Sequence, residues 1–335
     1  MPASIHDVAE RAGVSIATVS RAFTQPAKVL PKTRERVLET AHDMGFTISR
    51  SASALKSGKA ARIAFLTGGE LESWYDSHIL SGLNSVLHNA GYDISVYQVS
   101  DSQERHDFFS DMSINRNADA VLVVSFQVSH DEAAKLKSSG IPLIGINTTP
   151  MPEFSATINL DEQASMRMVV NHLAQLGHRD IAYVCLDPET ETFKWNGQDR
   201  LNSIKEICKE GPDINLRVIY APKDVNRADY AFSQLTTLER RPTAICCIND
   251  EYAVPLLALL LRNGLRIPSD VSLIGFDDST YAQEVGLTTV RQDPFSIGRT
   301  AGKTALALID GNTGIERHIT VPSFLAIRNT TTPLR

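Results

Sequence analysis

Long apolar runs are missing from this 335-residue chain. The longest approach, residues 253–261, is ended by Arg262 and falls short of the roughly eighteen residues of a membrane span. The first residues carry no apolar leader, so a cytoplasmic protein with no membrane partner is expected. Cysteine is scarce: four residues without framework spacing argue for a reduced compartment and against a disulfide scaffold. Cys246 and Cys247 are adjacent on a strand-like run, so they point to opposite faces and cannot share a metal. The nine histidines contain no H-x-x-x-H pair, and His178 reads as a local hydrogen-bonding residue. No P-loop, G-x-G-x-x-G or Ser/His/Asp order stands at a strand-to-helix turn, and Gly68-Gly69 is too short to cradle a pyrophosphate. No enzyme, metal or cofactor is therefore expected.

What the chain has in abundance is asymmetry of charge. Residues 1–62 hold ten Lys and Arg against five acids, a net +5, so with the whole chain at −6 the remainder is −11. A basic head on an acidic body suits a segment that meets phosphate and a body that does not. The head begins with a helix signature. Ser4 can cap, Asp7 completes a capping box, and Ile5, Val8, Ala9 and Ala12 share one face. Gly13 ends that helix, and Ser15 caps a second one whose inner side carries Val19, Ala22 and Phe23. Two short helices with a tight glycine turn form a helix-turn-helix, the second helix suited to a DNA major groove; the alternative is an ordinary helical hairpin. A third helix is predicted over residues 31–44, with Val37, Leu38, Ala41 and Met44 inward and Gly45 just past its end. Residues 47–61 read alone as a Ser/Ala/Lys linker. Beside a helix-turn-helix they can instead form a short helix on DNA, with Leu55 wedged in the minor groove and Lys56 beside it, or with Leu55 packed on the body.

From residue 62 onward strands alternate with helices. Strands are predicted at 62–67, 93–99, 120–126, 142–147, 156–160, 180–186, 216–220, 244–248, 271–276, 287–292 and 319–327; helices include 78–89, 162–176, 227–238, 252–263 and 295–309. Continuous apolar runs such as Ala120-Val121-Leu122-Val123-Val124 suit strands covered on both faces, hence doubly wound parallel sheets. About 270 residues should divide into two subdomains. Ligands of such sheets lie outside the carboxyl ends of strands. That rule points to Trp74, Tyr75 and Asp76, to Asn249-Asp250-Glu251, to Asp277-Asp278-Ser279, and to a long loop carrying Trp195 followed by Gln198 and Arg200. Carboxylates, amides and an arginine among aromatic rings suit a polyhydroxyl ligand. Asp161, Asp250 and Asp278 can equally be helix caps.

These residues resemble the lactose-repressor (LacI/GalR) family of bacterial transcription regulators along the whole chain. The likeness is carried by Ile5-His6-Asp7-Val8-Ala9, Ala12-Gly13-Val14-Ser15, Thr18-Val19-Ser20-Arg21, Arg36-Val37, Gly45-Phe46, Ala52 with Leu55, and Arg328-Asn329-Thr330-Thr331. Where many members have aromatic-x-Pro-Asn and then Ala-Arg-x-Leu, this chain has Phe46-Thr47-Ile48-Ser49 and Ala52-Ser53-Ala54-Leu55. The resemblance implies that Ile16, Ala17 and Arg21 face bases. Arginine matches guanine O6 and N7, and the apolar pair can meet only a thymine methyl. Ser15, Thr18 and Ser20 suit phosphate oxygens, although Ser15 could simply cap and Ala17 could face the core. The body then resembles a periplasmic sugar-binding protein. Asp277, Asn249, Arg200 (with Ser203 in place of the motif's glycine), Tyr75, Asp76 and the crossover at Gln292-Asp293 fall on effector-contacting or hinge positions.

The expected organisation is a head at 1–47, a hinge at 48–61 and an effector-binding and dimerisation body at 62–335. Within the body, 62–159 plus 292–319 form one subdomain and 160–290 plus 320–332 the other. The expected function is a homodimeric regulator, a repressor, on a palindromic duplex operator, controlled by a small carbohydrate-like effector. An activator, a sensor of a nucleobase or sugar phosphate, a solute receptor and a DNA-tethered enzyme are the alternatives.

Overall fold

The computed structural model describes residues 3–24, 26–46, 59–68, 71, 73–115, 117–187, 197–211, 213–222 and 225–334. The chain forms two compact units, Met1–Ala61 and Arg62–Arg335.

The first unit is built from α1 (Ile5–Ala12), α2 (Ile16–Thr24), a 3-10 turn (Pro26–Lys28) and α3 (Pro31–Asp43). Its local signals are all used. Asp7 N donates to Ser4 Oγ at 3.3 Å while Ser4 N donates to Asp7 Oδ2 at 2.8 Å, closing the capping box. Gly13 takes φ 61°, the left-handed turn open to a residue without Cβ. Thr18 N donates to Ser15 Oγ at 3.1 Å, starting α2. Val8, Ala9, Ala12, Val19, Ala22, Val37 and Ala41 form the core, with Phe23 only partly buried and set edge-on to Phe46. With so many alanines, this core gains little from burial.

The second unit contains two six-stranded sheets of matching order. The first uses β1 (Arg62–Thr67), β2 (Asp93–Gln98), β3 (Ala120–Val124), β4 (Leu143–Ile146), β5 (Ala156–Leu160) and β11 (His318–Val321), in the order β11-β5-β4-β3-β1-β2. The helices of this half are α4 (Trp74–Leu87), α5 (Ser102–Asn115), α6 (His130–Ser139) and α12 (Pro294–Ile309). Alternation splits its strands between two cores: Ile63 and Phe65 pack with α4 and α12, whereas Ala64 and Leu66 pack with α5 and α6. The second sheet uses β6 (Asp180–Leu186), β7 (Asn215–Ala221), β8 (Ala244–Cys247), β9 (Ser272–Asp277), β10 (Thr288–Arg291) and β12 (Phe324–Ala326), in the order β12-β10-β9-β8-β6-β7. With it go α7 (Glu162–Gln175), α8 (Gly197–Glu210), α9 (Arg227–Thr237), α10 (Asp250–Arg262) and α11 (Thr280–Glu284). Every described strand pair is parallel except β10–β12.

Three sequence expectations need correction. The strand predicted over 319–327 is two strands in different sheets, because Pro322 lacks the N–H that a continuous ladder requires. The helix predicted from residue 78 starts at Trp74, since Ser73 Oγ accepts the Asp76 N–H at 3.2 Å and caps it earlier. Gln198 and Arg200 lie in the first turn of α8, not in a loop.

The helices α4 and α12 touch at their backbones. A Cβ on Gly82 would fall 2.1 Å from Phe295 O, and one on Gly298 would fall 2.2 Å from Ile79 O. The start of α4 carries Trp74–Asp76, and α12 follows directly on Gln292, so this contact couples two parts of the expected effector site. Gly298→Ala should force the helices apart and cost about 1–3 kcal/mol, as overpacking does. A melting temperature equal to that of the parent chain would refute the close packing.

Candidate functional site

On the first unit the exposed side of α2 is short and mixed. Ser15, Ile16, Ala17 and Arg21 are exposed, and Thr18 and Ser20 are half-buried. Ala17 therefore does not face the core. Ile16 with Ser20, and Ala17 with Arg21, are spaced i, i+4 and lie on one side of the helix. Ser15 Oγ lies 2.9 Å from Thr18 Oγ1, so the capping serine also meets the next hydroxyl. This surface offers an arginine fork, two apolar contacts and hydroxyls, the set needed to read a groove edge and hold its phosphates. Leu55 and Lys56 lie outside the described residues.

In the second unit the carboxyl ends of both sheets contribute to one polar cluster. From the first sheet, Thr67 at the end of β1 donates to Asp76 Oδ2 at 2.6 Å. Asn147, just past β4, donates its amide to the Tyr75 hydroxyl and accepts the Leu160 N–H at 3.0 Å. From the second sheet, Arg200 grips Glu162 with a two-pronged fork, Nε to Oε2 at 2.9 Å and Nη2 to Oε1 at 2.8 Å. Its Nη1 donates to Ile248 O, and its Cζ lies 3.4 Å from the Phe276 ring centroid. Gln292 Nε2 donates to Asp277 Oδ1 at 2.6 Å. Asp250 accepts the Ser279 N–H and the Thr289 hydroxyl, each at 2.8 Å. Gly275 permits this, because a Cβ there would sit 2.1 Å from Asp250 Oδ1. The two sheets meet at Trp74, whose backbone N–H donates to Glu251 Oε1 at 3.4 Å.

The electrostatics bind these groups into one site. Burial pushes the Tyr75 hydroxyl well above its ordinary range, with Asp76, Asp277 and Glu162 adding to the rise and Arg200 opposing it. Burial pushes Asp76 up to about 6, eased by the Thr67 hydrogen bond and reinforced by Glu251. Asp250 is also pushed up to about 6 by burial, and Asp277 is raised well above the ordinary carboxylate range by burial, with Asp250 adding to the rise. Burial works against the Arg200 charge, but Glu162 outweighs it and holds the guanidinium firmly ionised. Backbone geometry is unusual at the same edges: Ser125, Asn147, Asp277 and Asp278 have φ of 61°, 47°, 121° and 59°. Such conformations are uncommon for residues with a Cβ and collect at binding sites.

Among the expected effector residues, Tyr75, Asp76, Arg200, Asp277 and Gln292 are thus brought together, with Trp74 beside them. Asn249 caps α10 by accepting the Tyr252 N–H at 3.2 Å. Gln198 bonds Asn202 along α8 at 3.0 Å. Trp195 lies outside the described residues. Of the suspected caps, Asp161 does cap α7, while Asp250 accepts from Ser279 and Thr289, and Asp278 pairs with Arg328. His178 is a buried hydrogen-bonding residue, held by Thr243, Ser272 and Thr332. Thr67, Asn147 and Glu162 were not singled out in the sequence. Each stands at or just after a strand end, so the carboxyl-edge rule could have reached them, but nothing local pairs Glu162 with Arg200.

Residues 4–49 match the model described as bacterial regulatory proteins, lacI family, and residues 170–331 match the periplasmic binding protein-like domain. The HTH-type transcriptional repressor PurR of Vibrio parahaemolyticus is 26% identical over 333 residues, covering 98% of each chain. The HTH-type transcriptional repressor CytR of Escherichia coli is 27% identical over 308 residues, covering 89% of this chain and 87% of that one. The Lac repressor dimer bound to operator and the anti-inducer ONPF has the same fold, with a TM-score of 0.82 at 22% identity over 99% of this chain and 100% of that chain.

Asp76 gives a pH test. Its pKa rises from 3.8 in the unfolded chain to about 6 in the folded one, so the folded state binds more protons between those values. Stability from this group therefore falls as pH climbs through that window. Asp76→Asn should gain on the parent chain by up to ~3 kcal/mol between acid and neutral pH. Melting curves of the two proteins that run parallel across this range would count against the burial of an acid there.

Proposed function

The chain belongs to the lacI family of bacterial regulatory proteins, and on that premise we propose that it is a repressor that grips a palindromic operator as a dimer and takes a small carbohydrate-like effector between its two sheets. The DNA-binding head and the effector-binding body are those of a transcription regulator. The relatives it matches are repressors, and the proposed work is binding and release without covalent chemistry, in the cytoplasm. Among the described residues no helix is long and apolar enough to cross a membrane.

One observation carries the effector reading: polar groups from the carboxyl edges of both sheets converge around Tyr75. A ligand seated there touches both halves, so it favours whichever angle between them suits its contacts. The chain passes between the sheets at Asp161, at Gln292-Asp293 and at Pro322-Ser323, and these short strands of backbone can absorb a change of angle. In a dimer that change alters the spacing of the two points where residues 48–61 begin. Two recognition helices about one DNA turn apart then fit or miss their half-sites. The effector controls DNA only to the extent that it binds one angle better than the other. On the head, Arg21 reads a guanine, Ile16 and Ala17 meet methyl groups, Ser15, Thr18 and Ser20 hold phosphates, and Leu55 with Lys56 supplies the minor-groove wedge.

Two measurements test this. Arg21→Ala should lower operator affinity by about 1–3 kcal/mol and relax selection at one base position; unchanged selectivity in a base-substitution series removes Arg21 from the groove. Asp277→Asn should abolish the effector-induced change in operator affinity, read by fluorescence anisotropy with and without a panel of sugars. A response of full size in that variant places the effector elsewhere, and a response only to nucleobases rejects the carbohydrate class.

A further inference from the structure

The cluster around Tyr75 is lopsided in acidic groups. Asp76, Glu162, Asp250, Glu251 and Asp277 are carboxylates, and the Arg200 guanidinium facing them is already committed to Glu162, Ile248 O and the Phe276 ring. Among the described residues, the buried side-chain atoms at the cluster with no hydrogen-bond partner include Gln292 Oε1 and Trp74 Nε1, with the Tyr183 hydroxyl by Arg200 and Glu162 a third. Gln292 is only 6% exposed, and its amide nitrogen is bound to Asp277, so the unpartnered oxygen stands beside that carboxylate. An acceptor left unsatisfied among carboxylates calls for a ligand that donates there. The indole N–H of Trp74, on the residue whose backbone meets Glu251, calls for a ligand oxygen. A phosphate or carboxylate placed here would push these proton-holding acids further from ionisation, which costs affinity, whereas a cation favours their ionised forms. An ammonium supplies three donors and the missing charge.

We propose that the effector is a hydroxylated primary amine, an amino sugar in chemical class, with its ammonium among Asp76, Glu251, Asp277 and Gln292 Oε1 and a ring hydroxyl on Trp74 Nε1. This rests on the effector site proposed above and goes beyond it by assigning the ligand's charge.

The test is calorimetric titration of the full-length protein at a pH where the amine is charged. The probes are glucosamine, galactosamine, glucose, N-acetylglucosamine, glucose 6-phosphate and adenine. The amino sugars should bind, and N-acetylation, which keeps the hydroxyls and removes the charge, should weaken binding by about tenfold or more. Glu251→Gln should weaken amino-sugar binding by about tenfold while changing the affinity for a neutral sugar by less than about twofold. Neutral or phosphorylated sugars binding as tightly as the amino sugars would overturn the charge assignment and leave the carbohydrate site standing. Equal losses for charged and neutral sugars in Glu251→Gln would overturn it as well. Binding of adenine alone, or of no probe, would overturn both the ammonium and the carbohydrate class.

Discussion

Burying Arg200 without a partner would cost more than any single apolar side chain in this unit returns. Glu162 removes that penalty, and it does so from another helix. The fork between them ties the start of α7 to the first turn of α8, while Nη1 reaches the end of β8 and the guanidinium plane rests on Phe276 of β9. Four elements of the second sheet are thereby held at their carboxyl edge, where a ligand of a parallel sheet belongs. The pairing also changes the part Arg200 can play. A guanidinium with a carboxylate on two of its nitrogens and a carbonyl on the third orders the floor of the site more than it recruits an anion.

The same burial that makes the ion pair necessary keeps the surrounding acids short of their preferred ionised state. Asp76, Asp250 and Asp277 all hold protons more tightly than exposed carboxylates, with burial the leading cause at each. Their hydrogen bonds run to donors on other elements: Thr67, Thr289, the Ser279 N–H and Gln292. Asp76 belongs to the first sheet and Asp277 to the second, and Tyr75 feels both. A ligand bound in this cluster, as proposed, would share its binding energy between two halves that the chain joins at short crossings. That is the physical requirement for a signal to leave the site: differential binding to two arrangements of the same parts.

Much of the fold was legible because its causes are local. The capping box at Ser4 and Asp7, the left-handed Gly13 and the Ser15 cap are decided within a few residues, and the head's helices follow from them. Alternation inside apolar runs such as residues 120–124 announced strands covered on both faces. Reading failed where the cause was distant. Residues 319–327 carry one strand-like pattern, yet they divide at Pro322 because each half finds a different sheet edge. Asp278 looked like a cap and is paired with Arg328, fifty residues away. Glu162 looked like the first acid of a helix, and only folding shows that it neutralises Arg200.

Local sequence chemistry was enough to specify the basic helix-turn-helix, the alternating strands and helices, and the side-chain types able to face DNA or a polar ligand, since caps, turns and periodicity act over one or two turns of chain. Tertiary structure decided which of those polar residues share a cluster, which are used up as caps, and which sheet the last two strands join. Those outcomes depend on pairs such as Tyr75 with Asn147, Trp74 with Glu251 and Asp277 with Gln292. Their members lie on separate elements, so only the packing of those elements brings them within hydrogen-bonding reach.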